Sequence, residues 1–101
     1  MLEHQIDSAN QSLTVHTPNA FNINCYSQIL EICNQHQDSI LALRLNFADT
    51  DYIDSTGIGL ILELRSKLAQ RQAKLILTSV KPQVKNLLEA TNITALVQVE
   101  S

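Results

Sequence analysis

The 101-residue chain contains few glycines, and their position is more informative than their number. Only Gly57 and Gly59 occur, and both lie in the hexapeptide 54–59, which reads Asp-Ser-Thr-Gly-Ile-Gly. Glycine-rich loops that bind nucleotide phosphates need more glycines in their pattern, so the sequence excludes that class of site. It also excludes collagen-like and flexible Gly/Ser segments. The two glycines therefore draw attention to one place in the chain.

Basic clusters and long apolar runs are also missing. Seven Lys and Arg residues stand against ten Asp and Glu residues, which gives a formal net charge of −3 and a pI of about 5.4. Nucleic-acid binding normally requires a clustered basic surface, so we do not expect a nucleic-acid partner. No apolar run approaches the roughly 18 to 20 residues of a membrane-spanning helix. The first residues do not resemble a secretory signal, so we expect a cytoplasmic protein without membrane insertion.

Cysteine and histidine are too sparse and too scattered for a metal site. Cys25 and Cys33 lie eight residues apart in one predicted helix, and we expect both to be buried free thiols in a reducing compartment. Neither residue type occurs at the spacing of metal ligands. Ser55 lacks the G-x-S-x-G pattern of a hydrolase nucleophile. The sequence therefore predicts neither an enzyme nor a bound metal or cofactor.

Hydrophobic periodicity predicts eight elements in the order ββαβαβαβ. The predicted strands are 2–6, 12–16, 40–47, 73–80 and 95–99, and the predicted helices are one capped by Asn22 or Asn24, one spanning 55–72 and one beginning near Pro82. The apolar density of 40–47 predicts a strand that is buried on both faces. Strands that alternate with helices indicate a single α/β domain over residues 1–101, with a four- to five-stranded, mixed but largely parallel sheet covered by helices.

The helix predicted at 55–72 is amphipathic. Projection at 100° per residue places one group of residues on the apolar face, namely Ile58, Ile61, Leu62, Leu68 and Ala69. Gly59 and Glu63 lie on the opposite, polar face. A glycine in a helix costs about 0.5–1 kcal/mol relative to alanine, so a bare spot at Gly59 suggests close approach by a partner. Arg65 falls inside the apolar arc, where its stem is expected to pack while its head group reaches solvent.

The start of this helix supports two interpretations. Asp and Ser are preferred N-cap residues, so Asp54 and Ser55 have a purely structural role in the first. In the second, the Ser55 hydroxyl also accepts a phosphate, because the free amides and dipole of a helix N-terminus favour negative charge. A phosphate adds about −1.5 to −2 charges. Together with Asp49, Asp51 and Asp54 it would form a strongly anionic surface that repels a docked partner.

The segment 53–59, Ile-Asp-Ser-Thr-Gly-Ile-Gly, set between a strand and an amphipathic helix, resembles the STAS domain of bacterial anti-sigma factor antagonists. Segments 40–47 and 79–88 are similar to the family's preceding strand and to its approach to the third helix. The resemblance implies that Ser55 is phosphorylated by a serine kinase that is also an anti-sigma factor, and reset by a PP2C-type phosphatase. The residues expected to bind the partner are Asn22, Asp54, Thr56, Gly57, Gly59 and Glu63. A homodimer is compatible with this reading.

The sequence departs from the family pattern at three places. Asn22 and Asn46 stand where the family often has Asp, which keeps hydrogen bonding but removes charge. Little chain follows Val99 to form the family's usual last helix. These departures favour an alternative, a non-phosphorylated STAS scaffold subunit of a stressosome-like or lipid-transporter complex. The intact Asp-Ser-Thr at 54–56 favours the phosphorylation switch.

Overall fold

The computed structural model describes residues 2–36 and 39–100. The predicted domain spans residues 1–101, so residues 1, 37, 38 and 101 of it lie outside the described ranges. The strands are β1 His4–Asp7, β2 Ser12–His16, β3 Ala20–Phe21, β4 Ala42–Asn46, β5 Tyr52–Ile53, β6 Lys74–Thr78 and β7 Gln98–Val99. The helices are α1 Ile23–Gln35, α2 Ser55–Ala69, α3 Pro82–Ala90 and a 3₁₀ turn at Ile93–Ala95.

Five of these strands form one mixed sheet, in the order β1-β2-β4-β6-β7. β1 is antiparallel to β2, and the other neighbours are parallel. Parallel neighbours need a crossover between them, which α1, α2 and α3 provide. The predicted α/β class, the mixed five-stranded sheet and the ββαβαβαβ order of the main elements are confirmed.

The helices cover only one face of this sheet. The register aligns Leu13, Leu43 and Leu75 across three strands, and these side chains belong to the core that the helices complete. The opposite face of β2 and β4 carries polar or small side chains that are half-buried: Ser12, Thr14, His16, Ala42, Arg44 and Asn46. The prediction that 40–47 is buried on both faces was therefore wrong, because its alternate residues face solvent, as in sheets with one open face.

An ion pair crosses the open face near the last strand. Arg44 Nη2 lies 2.5 Å from Glu100 Oε1. β6 runs between β4, which carries Arg44, and β7, which Glu100 directly follows. Ile76 lies opposite Arg44 and Gln98 in the register and is only 6% exposed, although it belongs to the open face. The ion pair thus connects the last strand to the middle of the sheet above an apolar side chain.

The central helix α2 is shorter than predicted, and its buried face is slightly rotated. It ends at Ala69 rather than at residue 72, and Gln72 then takes a φ of 60° in the following turn. Its buried residues are Gly57, Ile58, Ile61, Leu64 and Leu68. Ala69, predicted on the apolar face, is exposed. Arg65 is also exposed, and its Nε donates to the carbonyl oxygen of Leu96 at 2.7 Å.

The small sheet of β3 and β5 and the 3₁₀ turn at Ile93–Ala95 have no counterpart among the predicted elements. β3 and β5 form a separate two-stranded parallel sheet, and strands of two residues are too short to show an alternating pattern. The strand predicted at 95–99 is reduced to β7, because residues 93–95 form the 3₁₀ turn. Asn92, with a φ of 63°, separates this turn from α3. Asparagine adopts this left-handed conformation more readily than most residues.

Candidate functional site

Two helices begin side by side beyond the carboxyl ends of β2 and β4. The small parallel sheet pairs β3 with β5, with Phe21 opposite Ile53. The next residue on each strand is the N-cap of a helix, Asn22 for α1 and Asp54 for α2. The parallel register therefore aligns the two N-caps, which brings the predicted partner-binding residue Asn22 level with the motif that contains Ser55.

Both N-caps are formed by side-chain oxygens. Asn22 Oδ1 accepts hydrogen bonds from the backbone amides of Asn24 at 3.1 Å and Cys25 at 3.3 Å, so Asn22 rather than Asn24 caps α1. The Cys25 thiol in turn lies 3.3 Å from the Asn22 amide, which completes a capping box. Asp54 Oδ1 accepts from the Gly57 amide at 2.9 Å. Since Asn caps a helix about as well as Asp, the neutral Asn22 leaves α1 fully capped.

Ser55 is the first residue of α2, and it is exposed together with Thr56. The first hydrogen bond of the helix runs from the Ile58 amide to the Asp54 carbonyl oxygen at 3.0 Å. Amides before that position have no acceptor within the helix, and the Gly57 amide is already bound by the cap. The amides of Ser55 and Thr56 therefore remain at the positive end of the helix, where a negative group is favoured.

The two glycines of the motif have opposite surroundings. A Cβ atom at Gly57 would lie 2.6 Å from Ile53 Cγ1 and 2.9 Å from the carbonyl oxygen of Phe21. Gly57 is thus buried where α2 packs closely against the small sheet. It is the one predicted partner-binding residue that is buried, since the others are exposed. A Cβ atom at Gly59 would have no atom within 4 Å. Gly59 is exposed, as predicted, and leaves a bare spot on the outer side of the helix.

The loop that leads to the motif is held by a buried hydroxyl pair. Thr17 and Thr50 are 2% and 0% exposed, and their Oγ1 atoms lie 2.6 Å apart. Thr50 Oγ1 also donates to the Pro18 carbonyl oxygen at 2.6 Å. The amides of Asp51 and Tyr52 donate to the Asn19 carbonyl oxygen at 3.0 and 3.2 Å. These bonds fix the loop before Ser55 to the loop before α1, and sequence reasoning missed them because no local pattern marks the two threonines.

The negative charge around Ser55 is smaller than the sequence predicts. Asp51 accepts hydrogen bonds from Lys81 Nζ and, at 2.7 Å, from Asn19 Nδ2. Its charge is therefore balanced by a lysine, and the expectation that it adds to an anionic surface was wrong. Asp49 and Asp54 are exposed, and neither takes part in a salt bridge with residues 2–36 or 39–100.

Glu63 lies on the side of α2 that borders α1. Its carboxylate is 4.0 Å from Lys67 Nζ, one turn further along the helix. Burial, followed by the charge of Glu63, raises the pKa of the Tyr26 hydroxyl. That hydroxyl is buried and has no hydrogen-bond partner in the described ranges. Glu63 is thus exposed at the boundary of the same two helices whose N-termini form the site.

The two cysteines of α1 are buried free thiols, as predicted. Burial raises the pKa of Cys33 to about 11 despite the nearby Arg71, and burial also raises the pKa of Cys25. Since the thiolate is the reactive form, both thiols are less reactive at neutral pH than an exposed cysteine.

Over residues 2–36 and 39–100, no three His, Cys, Asp or Glu side chains come together as a metal site. The helices in those same ranges are all too short or too polar to cross a membrane.

Two curated relatives match part of this chain at low sequence identity. The anti-sigma-B factor antagonists of Listeria monocytogenes and Listeria innocua are each 28% identical over 61 residues. The aligned part is 60% of this chain and 54% of each relative, so the match spans about half of their length.

Solved structures show the same fold. The Thermotoga maritima protein TM1081 superposes with a TM-score of 0.80 at 18% identity, covering 99% of this chain and 86% of that one. The anti-sigma factor antagonist SpoIIAA in its unphosphorylated form superposes with a TM-score of 0.71 at 14% identity, covering 100% and 87%. A variant of RsbS from Moorella thermoacetica gives 0.74 at 12% identity, covering 99% and 85%.

The family model described as "STAS domain" matches residues 5–101, which is nearly the whole chain. The strand order, the helix that begins at Ser55 and this match agree with one another. The chain belongs to the STAS domain family.

Proposed function

We propose that this protein is an anti-sigma factor antagonist whose binding to its partner is controlled by phosphorylation of Ser55. The observation that carries the proposal is the alignment of two capped helix N-termini, with an exposed hydroxyl at the start of one of them. Asn22, Asp54, Thr56 and Gly59 lie exposed near it, and Gly57 supports them from below. Glu63 is also exposed, about two turns further along α2. The names of the Listeria relatives support the assignment of the partner class.

In this proposal the unmodified surface binds a serine kinase that also acts as an anti-sigma factor. The Ser55 hydroxyl is accessible to the kinase because it projects from the first turn of α2 and not from the core. Phosphate transfer places about −1.5 to −2 charges beside the Asp54 carboxylate. Removing that charge from water in a closed interface is costly, so the phosphorylated protein dissociates. A PP2C-type phosphatase then restores the binding form.

The first test is phosphorylation by a purified serine kinase of the anti-sigma factor class. Incubation with the purified kinase and ATP is expected to add one phosphate, which peptide mass spectrometry locates at Ser55. Ser55→Ala removes the modification, whereas Thr56→Ala, the adjacent exposed hydroxyl, leaves it in place. Modification mapped to Thr56, or none with that kinase, would contradict the proposal.

The second test is binding. Ser55→Ala is expected to bind the kinase as the wild type does, and Ser55→Asp to bind at least about ten-fold more weakly, which corresponds to about 1.4 kcal/mol. Isothermal titration calorimetry measures both. Equal affinity of the two variants would mean that charge at Ser55 does not control the interaction.

The scaffold alternative predicts a different pattern. Asn46 Oδ1 accepts from the Ala48 amide at 2.9 Å, so this residue shapes the turn after β4 without contributing charge. In a non-phosphorylated subunit of a stressosome-like or lipid-transporter complex, Ser55→Ala and Ser55→Asp would assemble equally and no kinase would modify Ser55. Gene neighbours also discriminate, since a kinase and phosphatase accompany a switch, and a permease and ATPase accompany a transporter subunit.

A further inference from the structure

Large apolar side chains are exposed at five positions of the described chain. They are Ile6 at 40%, Ile23 at 55%, Leu41 at 53%, Tyr52 at 57% and Leu96 at 50% exposure. Two of them adjoin the aligned N-caps. Ile23 directly follows Asn22, and Tyr52 lies on β5 two residues before Asp54.

The other three lie elsewhere on the molecule, and one of them, Ile6, is on the edge strand β1. Leu41 directly precedes β4 and Leu96 lies two residues before β7, so both belong to the amino ends of parallel strands. Ile23 and Tyr52 belong to connections that leave the carboxyl ends of β2 and β4. The candidate site and the positions of Leu41 and Leu96 are thus at opposite ends of the sheet.

The charges around Ile23 and Tyr52 define what can cover them. Asp49 and Asp54 are exposed nearby along the chain, and Lys81 is paired with Asp51. A surface with apolar side chains and excess carboxylates fits a partner whose apolar patch is bordered by Lys or Arg. Tyrosine is among the residues that contribute most when buried at the centre of an interface.

We propose that Ile23 and Tyr52 are the main apolar contacts of this chain with the anti-sigma factor, which presents an apolar patch bordered by basic residues. This inference rests on the proposed function and adds the residues that supply the binding energy. It also gives phosphorylation a specific effect. Ser55 is the first residue after the Asp54 cap, as Ile23 is the first residue after the Asn22 cap, and a phosphate on Ser55 would have to be dehydrated for these contacts to form.

The experiment compares four variants, in each of which serine replaces one exposed apolar residue. Ile23→Ser and Tyr52→Ser each remove an apolar side chain at the site, and Leu41→Ser and Leu96→Ser remove equally exposed ones at the other end. Binding to the purified anti-sigma factor/serine kinase is measured by calorimetry. We expect Ile23→Ser and Tyr52→Ser to weaken binding by about 10- to 100-fold, as burial of one such side chain implies. The control variants should stay within about two-fold of the wild type, as expected for contacts outside the interface.

Thermal unfolding of each variant shows whether it is folded, and exposed positions are expected to change stability little. Four variants with the wild-type affinity would overturn the inference. If Ser55→Asp still weakened binding in that case, the proposed function would stand and only the apolar contacts would be wrong. If the wild type did not bind the kinase at all, both would fail.

Discussion

Gly57 and Gly59 show how two identical residues, two positions apart, serve different purposes. The first is required by packing, since a Cβ atom would collide with the side chain of Ile53 and with the backbone oxygen of Phe21. The second meets no atom of the protein, and its helical position favours alanine. Glycine at position 59 is therefore not explained by the fold of the isolated chain.

Substitution of the two glycines by alanine is expected to have opposite effects. Gly57→Ala should lower the free energy of unfolding by about 1–3 kcal/mol, because the backbone oxygen of Phe21 cannot move away without disturbing the small sheet. Gly59→Ala should raise it by about 0.5–1 kcal/mol. Urea denaturation measures both. If Gly59→Ala also weakens kinase binding while it stabilises the protein, the bare spot serves the partner; unchanged binding would remove Gly59 from the docking surface.

At the scale of elements, the loop between β4 and β5 determines where α2 begins. Besides local bonds such as the one from the Thr50 amide to the Phe47 carbonyl oxygen, it makes side-chain hydrogen bonds with the loop before α1. Its central bond joins two side chains that are buried although they are polar, and such groups are costly to bury unless they are paired. Specific hydrogen bonds therefore hold the polar part of the loop, while Phe47 at its start is fully buried and stacks on Phe21 with the ring centroids 5.6 Å apart.

Thr50→Val is expected to loosen this loop. The variant keeps the shape of the side chain but leaves the Pro18 carbonyl oxygen without its donor, which costs about 1–3 kcal/mol of unfolding free energy. Hydrogen exchange should become faster at the amides of Asp51 and Tyr52, which bind the Asn19 carbonyl oxygen. Thr14→Val, on the open face of the sheet, is the control and should leave those amides unchanged. Unchanged exchange in both variants would show that the hydroxyl pair does not hold the loop.

The sequence predicts the large elements well because they carry their own periodic signals. The α2 helix and the strands of the sheet follow from apolar spacing, whereas cap residues leave the start of α1 open between Asn22 and Asn24, and the structure shows Asn22. The small sheet could not be predicted, since its strands have two residues each and exist only through their pairing. The motif around Ser55 was located from composition, whereas the alignment of Asn22 with Asp54 depends on that small sheet and appears only in the folded chain.

The whole molecule is a sheet covered on one face, with a polar second face. The apolar density of residues 40–47 suggested two buried faces, but Arg44 and Asn46 give the strand a half-exposed side. The last strand is short and lies at the edge, so it gains little from pairing. Its connection to the sheet includes the Arg44–Glu100 ion pair and the bond from the Glu100 amide to the Leu77 carbonyl oxygen at 2.7 Å.

Glu100→Gln is expected to affect the edge of the molecule more than its overall stability. The two side chains of the pair are 34% and 41% exposed, so its loss should change the free energy of unfolding by less than about 1 kcal/mol. The amide at position 100 should nevertheless exchange with solvent measurably faster, because β7 is less firmly held. Lys67→Gln, which removes another surface ion pair, serves as control. Exchange that is equal in the two variants would show that the pair contributes nothing to the attachment of the last strand.

The alignment of the two helix N-termini also affects at which stage of folding the molecule becomes able to bind its partner. Thr17 and Thr50 are 33 residues apart in the chain, and Lys81 lies a further 30 residues beyond Asp51. Contacts between such distant segments are slow to form, because the intervening chain must first be closed into loops. A newly synthesised or unfolded chain contains Ser55 but has no Asn22 beside it. Under the proposed function, a partner that requires both residues would not bind incompletely folded molecules. It would respond only to the concentration of fully folded protein.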